Sequence, residues 1–189
     1  AFFPTGPAYY AYARTLFDNS LSFEEICEDY MSVAFGEDWR LFYDYLEKLG
    51  NTFGHEYLSS EANIGTGRSE WYNPDKLDDL KRVKEVVKEG RELISSHYNS
   101  DYRVRTLSVR LLEFHADYAE MLADALTDKC VGNDEAAAEL LRKKRVESGK
   151  REVAFERWYD HACNPGIPAE PMTEDEMDGM YDMLRAEII

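Results

Sequence analysis

The sequence predicts an all-α fold, in which a short N-terminal three-helix cluster is followed by an up-down-up bundle of long helices and a terminal helix. Apolar residues recur at intervals of three and four along most of the 189 residues, which is the spacing of one helix face. No stretch alternates apolar and polar residues for long enough to indicate a β-strand. Glycine, proline and asparagine separate the apolar stretches and mark the helix ends.

The first helix is predicted around residues 9–17 and carries one apolar stripe, of the kind that packs against neighbouring helices. The stripe consists of Tyr9, Tyr12, Ala13 and Leu16. Pro7 suits the first helical position, because the backbone N–H that proline lacks has no partner there. The polar residues 18–20 then end the helix.

The second helix is predicted to begin after Ser22, because Ser22 and Glu25 have the spacing of a capping box. Gly36 is expected to end this helix in a left-handed conformation, and Gly50 to end the third helix. The apolar stripes are Phe23, Ile26, Cys27, Tyr30, Val33 and Ala34 on the second helix, and Trp39, Phe42, Tyr43, Leu46 and Leu49 on the third.

These elements divide a single predicted domain into three parts. Residues 1–57 form the short-helix cluster, residues 58–72 a loop, and residues 73–189 the long-helix bundle. Within the first part, residues 51–57 have the composition of one extra helical turn. The chain is expected to be a fragment of a larger protein.

The second half is predicted to open with Asn73 as a helix N-cap and Pro74 at the first helical position. Tyr72 and Leu77 have the spacing of a hydrophobic staple across this helix start. A structural role is therefore favoured for Tyr72 over contact with a ligand.

Two long helices follow, and their apolar residues alternate at intervals of three and four, as in helices that pack along their whole length. The seams are Leu80, Val83, Val87, Gly90, Ile94 and His97, then Val104, Leu107, Leu111, Phe114, Tyr118, Met121 and Ala125. Gly90 predicts a close approach of a neighbouring helix. A third long helix is predicted over residues 134–163, and Thr173 caps the terminal helix. Short connections imply antiparallel neighbours.

The composition is strongly acidic, with 22 Lys and Arg against 38 Asp and Glu and a formal net charge of -16. Such a surface repels phosphate groups, so neither nucleic acid nor a membrane is expected as a partner. No segment is apolar enough to cross a bilayer, and residues 1–10 lack the pattern of a signal peptide. The compartment, bacterial cytoplasm or a secreted location, stays open.

The titratable residues predict no metal and no cofactor. The 3 cysteines are far apart and form no CxxC pair, and neither a Glu-x-x-His nor an HExxH sequence occurs. Structural roles are favoured for His115, which lies between Glu113 and Asp117, and for His161. A small helical enzyme that uses His115 or His161 with neighbouring carboxylates is kept as an alternative.

Aromatic residues are the candidates for contact with a ligand or with another domain, since their faces pack on sugar rings and on protein surfaces. These candidates are Phe2, Phe3, Tyr9, Tyr10, Trp71 and Tyr72. Packing in the core or between domains is favoured over sugar binding. A stand-alone binding or oligomerisation module that uses Trp71, Tyr72 or the long seams is a further alternative.

The N-terminal stretch also resembles a known family. The similarity is carried by Ala13-Arg14-Thr15-Leu16-Phe17-Asp18, Leu21, Glu25, Phe35-Gly36 and Tyr45-Leu46. This succession resembles the C-terminal helical region of large bacterial glycoside-hydrolase-like proteins, which are catalogued as a domain of unknown function and are similar in layout to alpha-glucuronidases and beta-hexosaminidases. The resemblance covers roughly the first quarter of the chain.

In proteins of that layout the segment follows a (β/α)8 barrel, and the barrel holds the catalytic carboxylates. The resemblance therefore implies a non-catalytic accessory domain that buttresses an upstream barrel of the same polypeptide. Carbohydrate would be bound through that barrel, and no catalytic residue is transferred to this chain. An apolar patch is then expected near the N-terminus, with Phe2, Phe3, Tyr9 and Tyr10 as contacts.

Overall fold

The computed structural model describes residues 6–58 and 71–143, and all regular structure in these two ranges is helical. The all-α prediction is confirmed. Helices α1 to α6 are Gly6–Phe17, Phe23–Phe35, Trp39–Phe53, His55–Leu58, Leu77–Ser96 and Arg103–Cys130. Residues 134–143 are also helical and belong to the predicted third long helix. The rest of that helix, the predicted terminal helix, Phe2, Phe3 and His161 lie outside the described residues.

The start of α2 confirms the capping box. The Ser22 hydroxyl accepts a hydrogen bond from the Glu25 backbone N–H at 3.2 Å, and the Glu25 carboxylate accepts one from the Ser22 N–H at 2.8 Å. The Ser22 N–H and the Ser22 hydroxyl both donate to the Glu25 carboxylate, and these two bonds hold the pKa of Glu25 below its usual value. At the other end, Gly36 has a φ of 84° and donates its N–H to the Ser32 carbonyl.

The predicted end of α3 at Gly50 is wrong. The helix continues to Phe53, and Gly54, with a φ of 81°, ends it. A glycine inside a helix costs only about 1 kcal/mol relative to alanine, and continuing the helix buries the whole Phe53 side chain. The short α4 then supplies the extra turn that was predicted, with Tyr57 and Leu58 buried.

The predicted capping role of the Asn73 side chain is also wrong. Asn73 precedes a 3-10 turn, Pro74–Lys76, and its side chain makes no capping hydrogen bond. Its backbone N–H instead donates to the Cys130 carbonyl at 3.0 Å, at the end of α6. The proline does occupy the first helical position, and α5 begins at Leu77. A long-range backbone bond thus ties the start of this turn to the end of α6.

Helices α5 and α6 are antiparallel neighbours, as predicted. Arg91 of α5 pairs with Asp117 and Glu120 of α6 at 2.7 and 2.8 Å, and Lys84, earlier in α5, pairs with Asp124, later in α6. Residues later in α5 pair with residues earlier in α6, so the two helices run in opposite directions. These pairs border the seam and leave its apolar residues buried between the two helices.

The close approach predicted at Gly90 occurs against α3. A Cβ atom added to Gly90 would place three ring atoms of Tyr45 within 2.8 Å, so only glycine leaves room for that ring. The Tyr45 hydroxyl is buried and has no hydrogen-bond partner. Its burial raises the pKa of Tyr45 to about 12. Sequence periodicity had not selected Tyr45 as a core residue.

Helix α6 is buried on two sides, whereas the sequence predicted one seam. Val104, at the start of that seam, is exposed, while Phe114 and Ala125 are buried as expected. A second set of buried residues comprises Val109, Leu112, Ala116, Ala119, Leu122, Ala123, Leu126 and Cys130. The alanines in this set let neighbouring helices approach closely. Helix α6 is therefore a central helix that contacts both α5 and α2.

The turn after α5 holds His97, whose ring lies between two hydrogen-bond acceptors. The His97 Nε2 atom lies 3.1 Å from the Asp38 carboxylate, and its Nδ1 atom lies 2.9 Å from the Leu93 carbonyl. Both acceptors favour the imidazolium, so the pKa of His97 is raised, first by the Leu93 carbonyl and then by Asp38. The ring also packs edge-on against Phe42, with the ring centroids 5.1 Å apart.

We expect His97→Gln to remove a pH-dependent part of the stability. The pKa of His97 is higher in the folded than in the unfolded chain, so its contribution is complete below the ordinary value of 6.5 and is lost as pH rises through the folded value. Urea unfolding at pH 5.5 and pH 9 is expected to show a larger difference between wild type and variant at pH 5.5. Asp38→Asn is the matched control: it removes one of the two acceptors, so the pH-dependent stability difference is expected to be smaller in its background. An equal difference in stability between wild type and His97→Gln at both pH values would contradict the assignment.

Candidate functional site

Helix α1 turns its predicted apolar stripe away from the core. The exposed fractions are 51% for Tyr9, 66% for Tyr12, 68% for Leu16 and 92% for Phe17, and Phe23 at the start of α2 is 65% exposed. We call these five residues the N-terminal apolar surface. The periodicity correctly indicated a helix, and an exposed apolar patch with Tyr9 lies near the N-terminus as expected, whereas Tyr10 packs on α2.

The other side of α1, formed by Gly6, Tyr10 and Arg14, holds the helix on α2. Tyr10 packs on Tyr30 with the ring centroids 5.5 Å apart and donates a hydrogen bond to Asp29, while Arg14 lies 3.9 Å from the same carboxylate. A side chain at Gly6 would clash with the Tyr30 ring, since its Cβ would lie 3.1 Å from Cζ. Polar and aromatic contacts on one side thus leave the apolar stripe on the opposite side.

A cavity of about 470 Å³ lies between α2, α3 and α6. Ile26 and Met31 of α2 and Leu112 of α6 give it apolar walls and are themselves almost fully buried. The polar residues that line the cavity are Glu47, Asn51, His55, Ser108 and His115. This combination of a large apolar wall and a few polar groups is typical of sites for small molecules.

The cavity brings His115 together with residues that the sequence had not connected to it. His115 is 4% exposed, on the face of α6 that lines the cavity, and His55 lines it from α4. Glu47 and Asn51 lie four residues apart on one face of α3, which was a signal in the sequence, whereas His55 begins α4 after the break at Gly54. The predicted helix end at Gly50 obscured that signal.

The Cys27 thiol also lines the cavity and is half-buried. Burial raises the pKa of this thiol above its usual value, so the protonated form prevails at neutral pH. A protonated thiol is a poor nucleophile, and Cys27 is therefore a lining group and not an activated one. The other described cysteine, Cys130, is fully buried.

Trp71 and Tyr72, the second pair of aromatic candidates, directly follow residues 59–70. Trp71 is 3% exposed and packs edge-on against Tyr57, whose hydroxyl donates to the Trp71 carbonyl at 2.9 Å. Tyr72 is half-buried and its ring lies beside Gly132. Trp71 is thus part of the core cluster, the arrangement that the sequence favoured for this pair.

Within residues 6–58 and 71–143, no three His, Cys, Asp or Glu side chains come together as a metal site. None of the helices described is both long enough and apolar enough to cross a bilayer. Comparison with known protein families, with curated proteins and with solved structures finds no match. The candidate sites are therefore the N-terminal apolar surface and the cavity, each defined by its own geometry.

Proposed function

We propose that this chain is a non-catalytic helical accessory domain that packs against a (β/α)8 barrel of the same polypeptide, and that carbohydrate hydrolysis belongs to that barrel. The observation that supports this function is the N-terminal apolar surface. Its five side chains are all more than half exposed and cluster on α1 and the first turn of α2. Apolar patches larger than single scattered residues mark sites of protein contact.

The composition of this surface suits a protein partner. Tyrosine and phenylalanine are enriched where proteins meet, because they bury a large area at a small cost in side-chain entropy. The residues around the patch are acidic, including Asp18 and Glu24, so its rim is polar. An apolar centre with a polar rim is the usual anatomy of an interface.

The position of the surface supports an N-terminal neighbour. Helix α1 is attached to the remaining helices through α2, by one side only. A domain joined at the N-terminal side would meet α1 first, and the residues that carry the resemblance to glycoside-hydrolase-like proteins include Leu16 and Phe17 of this surface. Neither residue contributes to the buried core, so a structural role within the described helices does not account for them.

The first test is to read the coding sequence on the 5′ side of Ala1 and to produce the longer polypeptide if a barrel-sized region is there. Hydrogen exchange of α1 amides is expected to slow in the longer polypeptide relative to this chain alone, because contact with the barrel suppresses local opening. Amides of α5 are the internal control and are expected to exchange equally in both. Unchanged exchange in α1, or a coding sequence without a barrel, would refute the proposal.

A pair of matched variants shows whether the N-terminal apolar surface is responsible. The double variant Leu16→Ser and Phe17→Ser is expected to restore fast exchange of α1 in the longer polypeptide. Val33→Ser, at a position 53% exposed on α2, is expected to leave that protection intact. Equal protection in both variants would show that the barrel does not dock on this surface.

The cavity favours a second candidate function, a binding module for a small molecule. It does not depend on a barrel, and its walls come from α2, α3 and α6. The small enzyme that uses His115 with neighbouring carboxylates is less well supported, because Glu47 is the one carboxylate among the described residues that line the cavity with His115.

A further inference from the structure

We propose that the cavity between α2, α3 and α6 binds an apolar amine, a small molecule with a hydrocarbon or aromatic body and one amino group. The apolar body would lie against Ile26, Met31 and Leu112, and the amino group would lie at the polar side formed by Glu47, Asn51 and His55. The cavity shares Phe23 with the N-terminal apolar surface, but the other four residues of that surface do not line it, so this inference does not depend on the function proposed above.

The size of the cavity is not that of a packing defect. The cavity is open to solvent on one side, which gives a ligand a way in. A volume of 470 Å³ would hold about 15 water molecules at the density of the liquid, and it falls within the range of small-molecule sites. Water against walls of this kind is unfavourable, so an apolar occupant gains free energy by replacing it.

Helix α3 packs closely against α5 on the side that faces away from the cavity. On the side of α3 that faces α5, the Tyr45 ring fills the room left by Gly90. On the cavity side, α3 presents Leu46, Glu47 and Gly50. Helix α3 therefore packs closely on α5 on one side and borders the open space on its other side.

The polar groups select an amine over an acid. The Glu47 carboxylate, on an exposed residue that lines the cavity, accepts hydrogen bonds only. An ammonium group is a donor and carries the opposite charge to Glu47, whereas a carboxylate ligand would be repelled by Glu47 and by the net charge of -16. His115, 4% exposed in the wall, adds a further hydrogen-bonding group on the α6 side.

Competition between matched amphiphiles tests the proposal on the full chain. The neutral dye N-phenyl-1-naphthylamine is expected to bind saturably, and dodecylamine, below its micelle concentration, to displace it at about tenfold lower concentration than dodecanoate, as expected for a charge-assisted hydrogen bond. Glu47→Gln is expected to reduce this preference, whereas Glu28→Gln, at an exposed position that does not line the cavity, is expected to preserve it. Absence of saturable binding, or equal displacement by the acid, would overturn the proposal.

Two further measurements locate the bound ligand. Ala34→Phe fills the cavity and is expected to weaken dye binding at least about tenfold with helical content retained, while Val33→Phe, at the exposed neighbouring position, is expected to bind normally. Leu46→Phe is a second filling variant, should Ala34→Phe fail to fold. Dodecylamine is also expected to slow alkylation of Cys27 by N-ethylmaleimide, read by mass spectrometry of its peptide.

Binding to the N-terminal apolar surface is distinguished by its own variant. The double variant Leu16→Ser and Phe17→Ser is expected to bind the dye as the wild type does, because neither residue lines the cavity. If this variant lost binding while the filling variants kept it, or if Cys27 reacted equally fast with and without dodecylamine, the cavity would not be the site and the proposal would be wrong.

Discussion

Gly90→Ala is expected to lower the free energy of unfolding by about 2–3 kcal/mol, which is the upper part of the range for overpacked cores. The added methyl group would meet the Tyr45 ring, which is 6% exposed and enclosed between α3 and α5. Alanine is the better helix former by about 1 kcal/mol, so a loss of stability would run against helix propensity. Urea denaturation monitored by circular dichroism measures the change.

The exposed position Lys88 on the same helix supplies the control for Gly90→Ala. Comparing Lys88→Ala with Lys88→Gly gives the effect of helix propensity alone, and the alanine variant is expected to be the more stable of the two. In the double variant Tyr45→Leu and Gly90→Ala, the loss is expected to be smaller than the sum of the single losses, because the clashing ring is gone. A stabilising effect of Gly90→Ala in the wild-type chain would contradict the close approach of α3 and α5.

Phe42→Ala is expected to lower the free energy of unfolding by about 3–5 kcal/mol. Phe42 has no exposed surface, stacks on Phe35 with the ring centroids 4.4 Å apart, and meets the His97 ring edge-on. Its removal would leave a cavity where the end of α2, the start of α3 and the end of α5 meet. Thermal and urea unfolding both measure the loss.

Phe17→Ala is the matched control for Phe42→Ala, since it makes the same change at a side chain that is 92% exposed. Its effect on the stability of this chain is expected to be within about 0.5 kcal/mol, as for surface substitutions in general. A loss at Phe17 comparable to that at Phe42 would mean that the Phe17 side chain packs within this chain. The N-terminal apolar surface would then no longer support a docking function.

Substitutions in the two candidate sites are expected to affect different binding functions of the chain. Polar substitutions in the N-terminal apolar surface are expected to leave the isolated chain stable and to affect only its docking. Filling the cavity with Ala34→Phe is expected to preserve or increase stability while removing ligand binding, because the added ring replaces solvent with protein atoms. Stability and binding measured on the same variants therefore separate the two proposals.

Local interactions could be predicted from the sequence. The capping box at Ser22 depends on residues three positions apart, and the left-handed residue at Gly36 depends on the absence of a side chain. Helix existence followed from periodicity for the same reason, because each helix closes its backbone hydrogen bonds within itself. The close contact at Gly90 was also predictable, although its partner Tyr45 was not.

Features that depend on distant residues could not be predicted in this way. The backbone N–H of Asn73 bonds to the distant Cys130 carbonyl, and α3 passed Gly50 because burial of Phe53 outweighs the local preference. Helix α6 acquired a second buried face, since α2 packs on it as well as α5.

The sequence by itself determined that the chain is helical, where most of its described helices begin and end, and that its surface is acidic, because these properties depend on neighbouring residues and on composition. Only the tertiary structure decided that the Tyr10 side of α1 packs on α2, and that His55 and His115 line one cavity. The reason is physical: both sides of α1 carry aromatic residues, and only the positions of other helices determine which side is buried. A cavity, likewise, belongs to no single helix and exists only where three of them meet.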